Sequence, residues 1–318
     1  MRSEIMKSLR SLMPSQMTAT GFDFKEERFP SLVLIFSDTV LRGIGQVMFQ
    51  NNSYAGAVFL AGIFYNSTSL GWAALIGTIA STSAAIFLGA NRGQIRDGLF
   101  GFNGTLIAIA LIYFLEPGLI TYGYAVLAAI FTTVVMATLL QLLETWRVPA
   151  LTAPFVFTTW VFVLACANFG HLQSTDALPT AAFAHAATVE GTVTASTVVN
   201  GVFSGLAQIF FQSSVITGIF FATGLFISSR LACAAALVGS FVGLCVAWGM
   251  GAGELAIHGG AFGFNSALTA IAICSGYFVL NLASMVYGTI AVVTTAVVFA
   301  AISAALEPHG VPALTSPF

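Results

Sequence analysis

The sequence predicts an all-α polytopic membrane protein made of two inverted five-helix repeats, each carrying a re-entrant half-helix. Three observations predict it. The first is composition: 58% of residues are hydrophobic, 7% are charged, and mean hydropathy is +0.94. A soluble domain carries about 25% charged residues, so this chain cannot cover itself with a water-facing surface. The second is an internal echo. Gly43-Ile44-Gly45-Gln46-Val47-Met48-Phe49-Gln50 returns 162 residues later as Gly205-Leu206-Ala207-Gln208-Ile209-Phe210-Phe211-Gln212. The same offset carries Gly101-Phe102-Asn103 onto Gly263-Phe264-Asn265 and Thr132-Thr133 onto Thr294-Thr295. One extra residue then shifts the register to 163, where Val148-Pro149-Ala150-Leu151-Thr152-Ala153-Pro154-Phe155 meets Val311-Pro312-Ala313-Leu314-Thr315-Ser316-Pro317-Phe318. Random apolar sequence echoes leucines and alanines, not paired glutamines, asparagines and a Pro-x-x-Thr-x-Pro frame. The third observation is the distribution of basic residues, which sets orientation.

Taken in order, residues 1–36 form a polar segment on the membrane surface. Five of the ten Lys and Arg residues lie there: Arg2, Lys7, Arg10, Lys25 and Arg28. No apolar run followed by a small-residue cleavage site marks a signal peptide. The first repeat occupies residues 37–170. Ser31 to Gln50 is apolar but interrupted by Asp38, Arg42, Gln46 and Gln50. Spans follow at about Ser53–Ser69, Trp72–Ala90, Leu99–Leu115, Leu119–Leu143 and Ala150–Asn168. Residues 171–199 are a polar linker. The second repeat occupies residues 200–318, with segments at Asn200–Gln212, Ser214–Ser229, Leu231–Gly249, Ala261–Leu280 and Ala283–Leu306. Its fifth span starts at Val311 and stops at Phe318 as a helical stub. Either the sequence is truncated or the last helix is missing.

If Gly43 to Gln50 enters and leaves on one side, and the amino terminus is cytoplasmic, all ten basic residues fall on the cytoplasmic side or at its face. A full crossing scatters them. The segment is therefore expected to be re-entrant. Five spans is an odd number, so the second repeat is expected to be inverted. Inverted repeats bring their site to the bilayer midplane between the halves, where broken backbone is tolerated only against a cavity or inside protein.

The spans hold almost no ionisable group. Asp38 and Arg42, at i and i+4, are expected to pair and anchor the re-entrant segment. Glu116, Glu144, Glu254 and Glu307 fall at span ends, and His171, His185, His258 and His309 in loops. Cys166, Cys233, Cys245 and Cys274 lack metal-type spacing and are expected to be small buried hydrophobes. No metal or cofactor is expected, no basic patch suggests nucleic acid, and no buried nucleophile with a base suggests an enzyme. The depth instead contains a duplicated polar and aromatic set. Gln46 and Gln208 offer amides. Phe49 and Phe211 follow on the same helical face. Phe102 and Phe264 open the third spans, with Leu106 and Leu268 a turn further. Thr152 and Thr315 sit in the Pro-x-x-Thr-x-Pro frame. With no buried charge, this favours passive movement of a neutral solute.

The run Leu41-Arg42-Gly43-Ile44-Gly45-Gln46-Val47-Met48-Phe49-Gln50-Asn51-Asn52, with Gly101-Phe102-Asn103-Gly104 and Pro149-Ala150-Leu151-Thr152-Ala153-Pro154-Phe155-Val156-Phe157-Thr158-Thr159-Trp160, resembles the urea transporter family of bacteria and vertebrates, over roughly Asp38 to Phe318. The resemblance implies a homotrimer in the cell (inner) membrane, each protomer with its own pore, and uncoupled, channel-like urea flux. It implies that Gln46 and Gln208 orient urea at the two ends of a filter and join backbone carbonyls in an oxygen ladder. Some family members carry a carboxylate at the position of Gln208. Phe49 with Phe102, and Phe211 with Phe264, are implied to sandwich the flat solute. Leu106 and Leu268 are implied to wall the narrow centre, and Thr152 and Thr315 to hydrogen-bond at its midpoint.

The physical fit stands beside the resemblance. Urea is planar, small and uncharged. A slot between aromatic rings admits a plane and resists hydrated ions, which shed water into hydrocarbon only at high cost. Ammonia, water or a short amide is the alternative solute. Ammonia channels line their pores with paired histidines and water channels carry paired Asn-Pro-Ala turns, and the spans contain neither.

Overall fold

The computed structural model describes residues 32–179 and 190–318. The predicted amino-terminal surface segment lies outside them, apart from its last residues, as does His185 with the centre of the linker.

The first set of helices is α1 (Leu32–Gln46), α2 (Ser53–Asn66), α3 (Thr68–Phe87), α4 (Arg92–Arg96), α5 (Gly101–Phe114), α6 (Leu119–Glu144) and α7 (Ala153–Cys166). The second set is α8 (Ala195–Gln208), α9 (Val215–Ser228), α10 (Arg230–Gly249), α11 (Glu254–His258), α12 (Gly263–Ile271) and α13 (Leu282–Leu306). From α2 to α4, each helix has a counterpart with both ends displaced by 162 residues. Local chemistry sets the starts. Asn52 accepts from the amides of Tyr54 and Ala55 to cap α2, and Ser214 caps α9. Ser67 and Ser229 cap α3 and α10 in the same way.

Two predicted boundaries move. Helix α1 begins at Leu32, inside the segment expected to be polar. Helix α8 begins at Ala195, inside the expected linker, because Thr194 and Thr197 form a reciprocal capping box there.

The register shift also sits earlier than the letters suggest. Helix α12 continues into a π-helical stretch, Ala272–Tyr277, which has no counterpart in α5. A π turn absorbs one extra residue without ending the helix. Beyond it the offset is 163: the caps are Gly118 and Asn281. Thr132-Thr133 therefore correspond to Thr295-Ala296, all four buried, rather than to Thr294-Thr295.

Small residues draw the helices together, as in membranes where packing replaces the hydrophobic drive. A Cβ on Gly77 of α3 would stand 2.3 Å from the Gly104 carbonyl of α5, and one on Gly239 of α10 would stand 2.6 Å from that of Ser266 in α12. Between the sets, α2 and α9 pack antiparallel. Gly224 approaches Phe59 and the Ala55 carbonyl, Gly62 approaches Phe221, and Thr217 donates to the Gly62 carbonyl. Phe59 and its counterpart Phe221 touch each other, with ring centroids 5.5 Å apart. Other contacts are reciprocal: Phe49 meets Phe318, while Phe211 meets Phe155. Equivalent residues thus meet each other, and neighbouring contacts exchange partners between the two sets.

Among the described residues, five helical stretches are long and apolar enough to cross a bilayer. Helices α6 and α13 keep most of their surface uncovered, with Leu119, Phe131, Leu282 and Ile290 exposed. The segment Val311 to Phe318 is not the expected helical stub. It is irregular and turn-like, buried over residues 311–315, which match 148–152 of the first set, where helix begins only at Ala153.

Candidate functional site

Helix α1 ends at Gln46 and α8 at Gln208, and both chains reverse at once. The reversals leave Phe49 at φ 61° and Phe211 at φ 58°, in left-handed backbone that a bulky residue occupies only under strain. Gly45 makes the first turn feasible, since a Cβ there would stand 2.4 Å from the Gln50 carbonyl. The glutamine amides then find equivalent partners. Gln46 Nε2 donates to the Asp97 carbonyl at 2.8 Å, and Gln208 Nε2 donates to the Gly259 carbonyl at 3.2 Å. With the nitrogen fixed by a carbonyl, the Oε1 atom of each amide is the group left to accept.

The Pro-x-x-Thr-x-Pro frames supply the other breaks. Leu151 and Leu314 are left-handed, with φ 45° and 56°. Asn103 Nδ2 donates to the Leu151 carbonyl at 3.4 Å, and Asn265 Nδ2 to that of Leu314 at 3.1 Å. Thr152 and Thr315, both buried, meet between the two sets. Thr315 Oγ1 donates to Thr152 Oγ1 at 2.8 Å. The resemblance implied that both hydrogen-bond at the midpoint; in the structure they bond to each other.

A cavity of about 460 Å³ opens beside these groups. Gln208, Phe211, Phe264 and Thr315 all line it, with Tyr113, Phe114 and the residues from Val311 to Leu314. Phe264 is the one residue of the nine in α12 that is not fully buried. Leu106 and Leu268 lie in the packed core at 1% exposure each. In the first set, Phe102 is buried, and Phe49 lies edge-on to Phe318 and to Tyr277, at 5.7 and 6.0 Å. The rings implied to sandwich the solute, Phe49 with Phe102 and Phe211 with Phe264, do not touch each other directly. Among the described residues, Phe211 touches Tyr113, Phe114 and Phe155, and Phe264 touches Phe299.

Asp38 and Arg42 form the expected ion pair, at 2.7 Å and buried on both sides. It extends further than the sequence indicated. Arg42 Nη1 donates to Asn51 Oδ1 at 2.8 Å, and Asn51 Nδ2 to Asp97 Oδ1 at 3.1 Å. Thus the residue whose carbonyl holds Gln46 is itself held by its carboxylate. Sequence reasoning missed Asp97 and Gly259, because they act through backbone. It quoted Asn103 and Asn265 without giving them a task. It also missed Tyr113, which no echoed motif contains.

The family model for "Urea transporter" matches residues 37–318. Urea transporter 1 of Ovis aries is 29% identical over 292 residues, covering 90% of this chain and 75% of that protein. Urea transporter 1 of Rattus norvegicus is 30% identical over 254 residues, covering 79% of this chain and 66% of its own length. Urea transporter 1 of Capra hircus is 28% identical over 292 residues, covering 90% and 75%. With a family match over most of its length and apolar helices able to cross a bilayer, this integral membrane protein, a transporter and not an enzyme, belongs to the urea transporter family.

Proposed function

We propose that the protein conducts urea passively through a narrow passage between its two halves. The observation that carries this reading is the convergence of Gln208, Phe211, Phe264 and Thr315 on one cavity, each of them half of a duplicated pair. The Oε1 atoms of Gln46 and Gln208 accept from the urea amino groups at the two ends. Phe49 and Phe102, and Phe211 and Phe264, form apolar walls that admit a flat neutral molecule and exclude hydrated ions. Leu106 and Leu268 narrow the centre. The Thr152–Thr315 pair exchanges its mutual bond for one to solute at the midpoint. Binding stays weak, since conduction needs exit as well as entry.

In this reading the halves are inverted across the membrane, which the antiparallel packing of α2 on α9 supports. The helices ending at Gln46 and Gln208 are re-entrant. The protein lies in the cell (inner) membrane as a homotrimer with a cytoplasmic amino terminus. The exposed faces of α6 and α13 then meet lipid or a neighbouring subunit.

The test is urea-driven shrinking and swelling of vesicles containing the purified protein. The expected result is urea flux far above protein-free vesicles with no sodium or proton gradient, slowed by thiourea. Strict dependence on either gradient refutes passive conduction. Flux of ammonia or water without urea assigns the passage to the other solutes.

A further inference from the structure

We propose that Tyr113 and Tyr277 are specificity-determining residues of the passage, each presenting its phenolic hydroxyl as a donor to the solute carbonyl; this rests on the urea reading above. Tyr113 is the one residue of the fourteen in α5 that is not fully buried. Its ring lies 5.4 Å from that of Phe211, and it lines the cavity that Gln208, Phe264 and Thr315 also line. At the other end the ring contact is made by Tyr277, the counterpart of Phe114 and not of Tyr113. Its ring is 6.0 Å from Phe49 at 84°, as Phe114 is 5.6 Å from Phe211 at 85°.

The route to that position is the π-helical stretch Ala272–Tyr277. One added residue turns the end of the helix so that Tyr277, rather than Gly276, meets Phe49. Single π turns inside α-helices concentrate at functional positions. The hydroxyls themselves are the second observation. Neither has a hydrogen-bond partner among the described residues. Tyr122 and Tyr124, by contrast, donate to the carbonyls of Ser69 and Phe162. Both tyrosines are only half-buried and neither hydroxyl is sealed within the protein, so each is free to donate to a molecule beside it, and phenylalanine would give the same ring contact without that group. The chemistry of the passage lacks what they supply. Gln46 and Gln208 offer acceptors to amino groups, and a urea molecule stripped of water also needs a donor for its oxygen.

Tyr113→Phe and Tyr277→Phe remove one oxygen each and keep the ring, so neither disturbs a bond within the protein. In vesicles, the ratio of urea to thiourea flux is read for each, because sulfur is a poorer acceptor than oxygen. Loss of one donor is expected to lower that ratio by about three-fold, and the double variant to lower it further. Tyr122→Phe, whose hydroxyl is engaged inside the protein, is expected to leave the ratio unchanged. An unaltered ratio in both single variants overturns this inference while leaving urea conduction standing. Absence of urea flux from the unsubstituted protein overturns both.

Discussion

The two ends of the site are held by the same backbone and by different charges. At the first, buried Asp38 and Arg42 continue through half-buried Asn51 and Asp97 in one chain that reaches the carbonyl under Gln46. The equivalent positions of the second end are Asn200, Ser204, Ser213 and Gly259. None of these four residues is charged. Instead Asn200 contacts His258 at 3.3 Å, Thr197 donates to Glu254 at 3.1 Å, and Ser204 Oγ has no partner among the described residues. The amide of Gln208 is nonetheless held as Gln46 is, by the carbonyl of the matching residue. The difference teaches which part of the duplication is constrained. Geometry delivered by main chain survives in both copies; side-chain scaffolding behind it diverges.

The largest expected effect tests that divergence. Arg42→Leu leaves Asp38 buried without a counter-charge, at a cost of about 3–5 kcal/mol, whereas the joint change Asp38→Leu with Arg42→Leu is far milder. Thermal unfolding of the purified protein in detergent reads both. An equal loss in single and double variants would mean that packing, not charge, holds the first end.

A smaller effect tests the shared backbone. A Cβ at Gly56 would stand 1.8 Å from the Leu41 carbonyl, and one at the equivalent Gly218 would stand 2.0 Å from that of Phe203. Gly56→Ala and Gly218→Ala are each expected to destabilise by at least about 1–3 kcal/mol. Unequal losses in the same unfolding measurement would break the claim that the halves share one main-chain template.

Next comes the bond that joins the halves. Thr152→Val and Thr315→Val each break the single hydroxyl contact and are expected to cost about 1 kcal/mol. Both are expected to slow urea flux. Since the contact is shared, the double variant is expected to cost less than the sum. Strict additivity would show two independent hydroxyls. The smallest effect returns to the second end: Ser204→Ala, where Arg42 has its counterpart, is expected to be neutral or stabilising by up to about 1 kcal/mol, because it removes a buried unpaired oxygen.

Much of this was legible in the sequence. Apolar run length gave helix positions to within a few residues, and the paired Gln-x-x-Phe stretches located both reversals. Other features were hidden for identifiable reasons. A repeated Thr-Thr pair outweighed burial in fixing the second register, although the shift lies upstream in a π turn that no local letter announces. Asp97 and Gly259 share a role but no side chain, so no echo could expose them. Tyr113 is opposed by Gly276, and Tyr277 by Phe114, so a search for matching letters passes over both. That Thr152 meets Thr315 depends on the two halves folding together, which neither stretch encodes alone.

Phe49 and Phe211 sit where glycine would be at ease and a large aromatic residue is not. Replacing either by glycine would relax the main chain, so a variant selected for heat resistance alone could gain there while losing its ring. Each copy has kept the uncomfortable choice. In the passage proposed above, these two positions are where durability and throughput pull against each other, and where efforts to harden the protein should leave the residue alone.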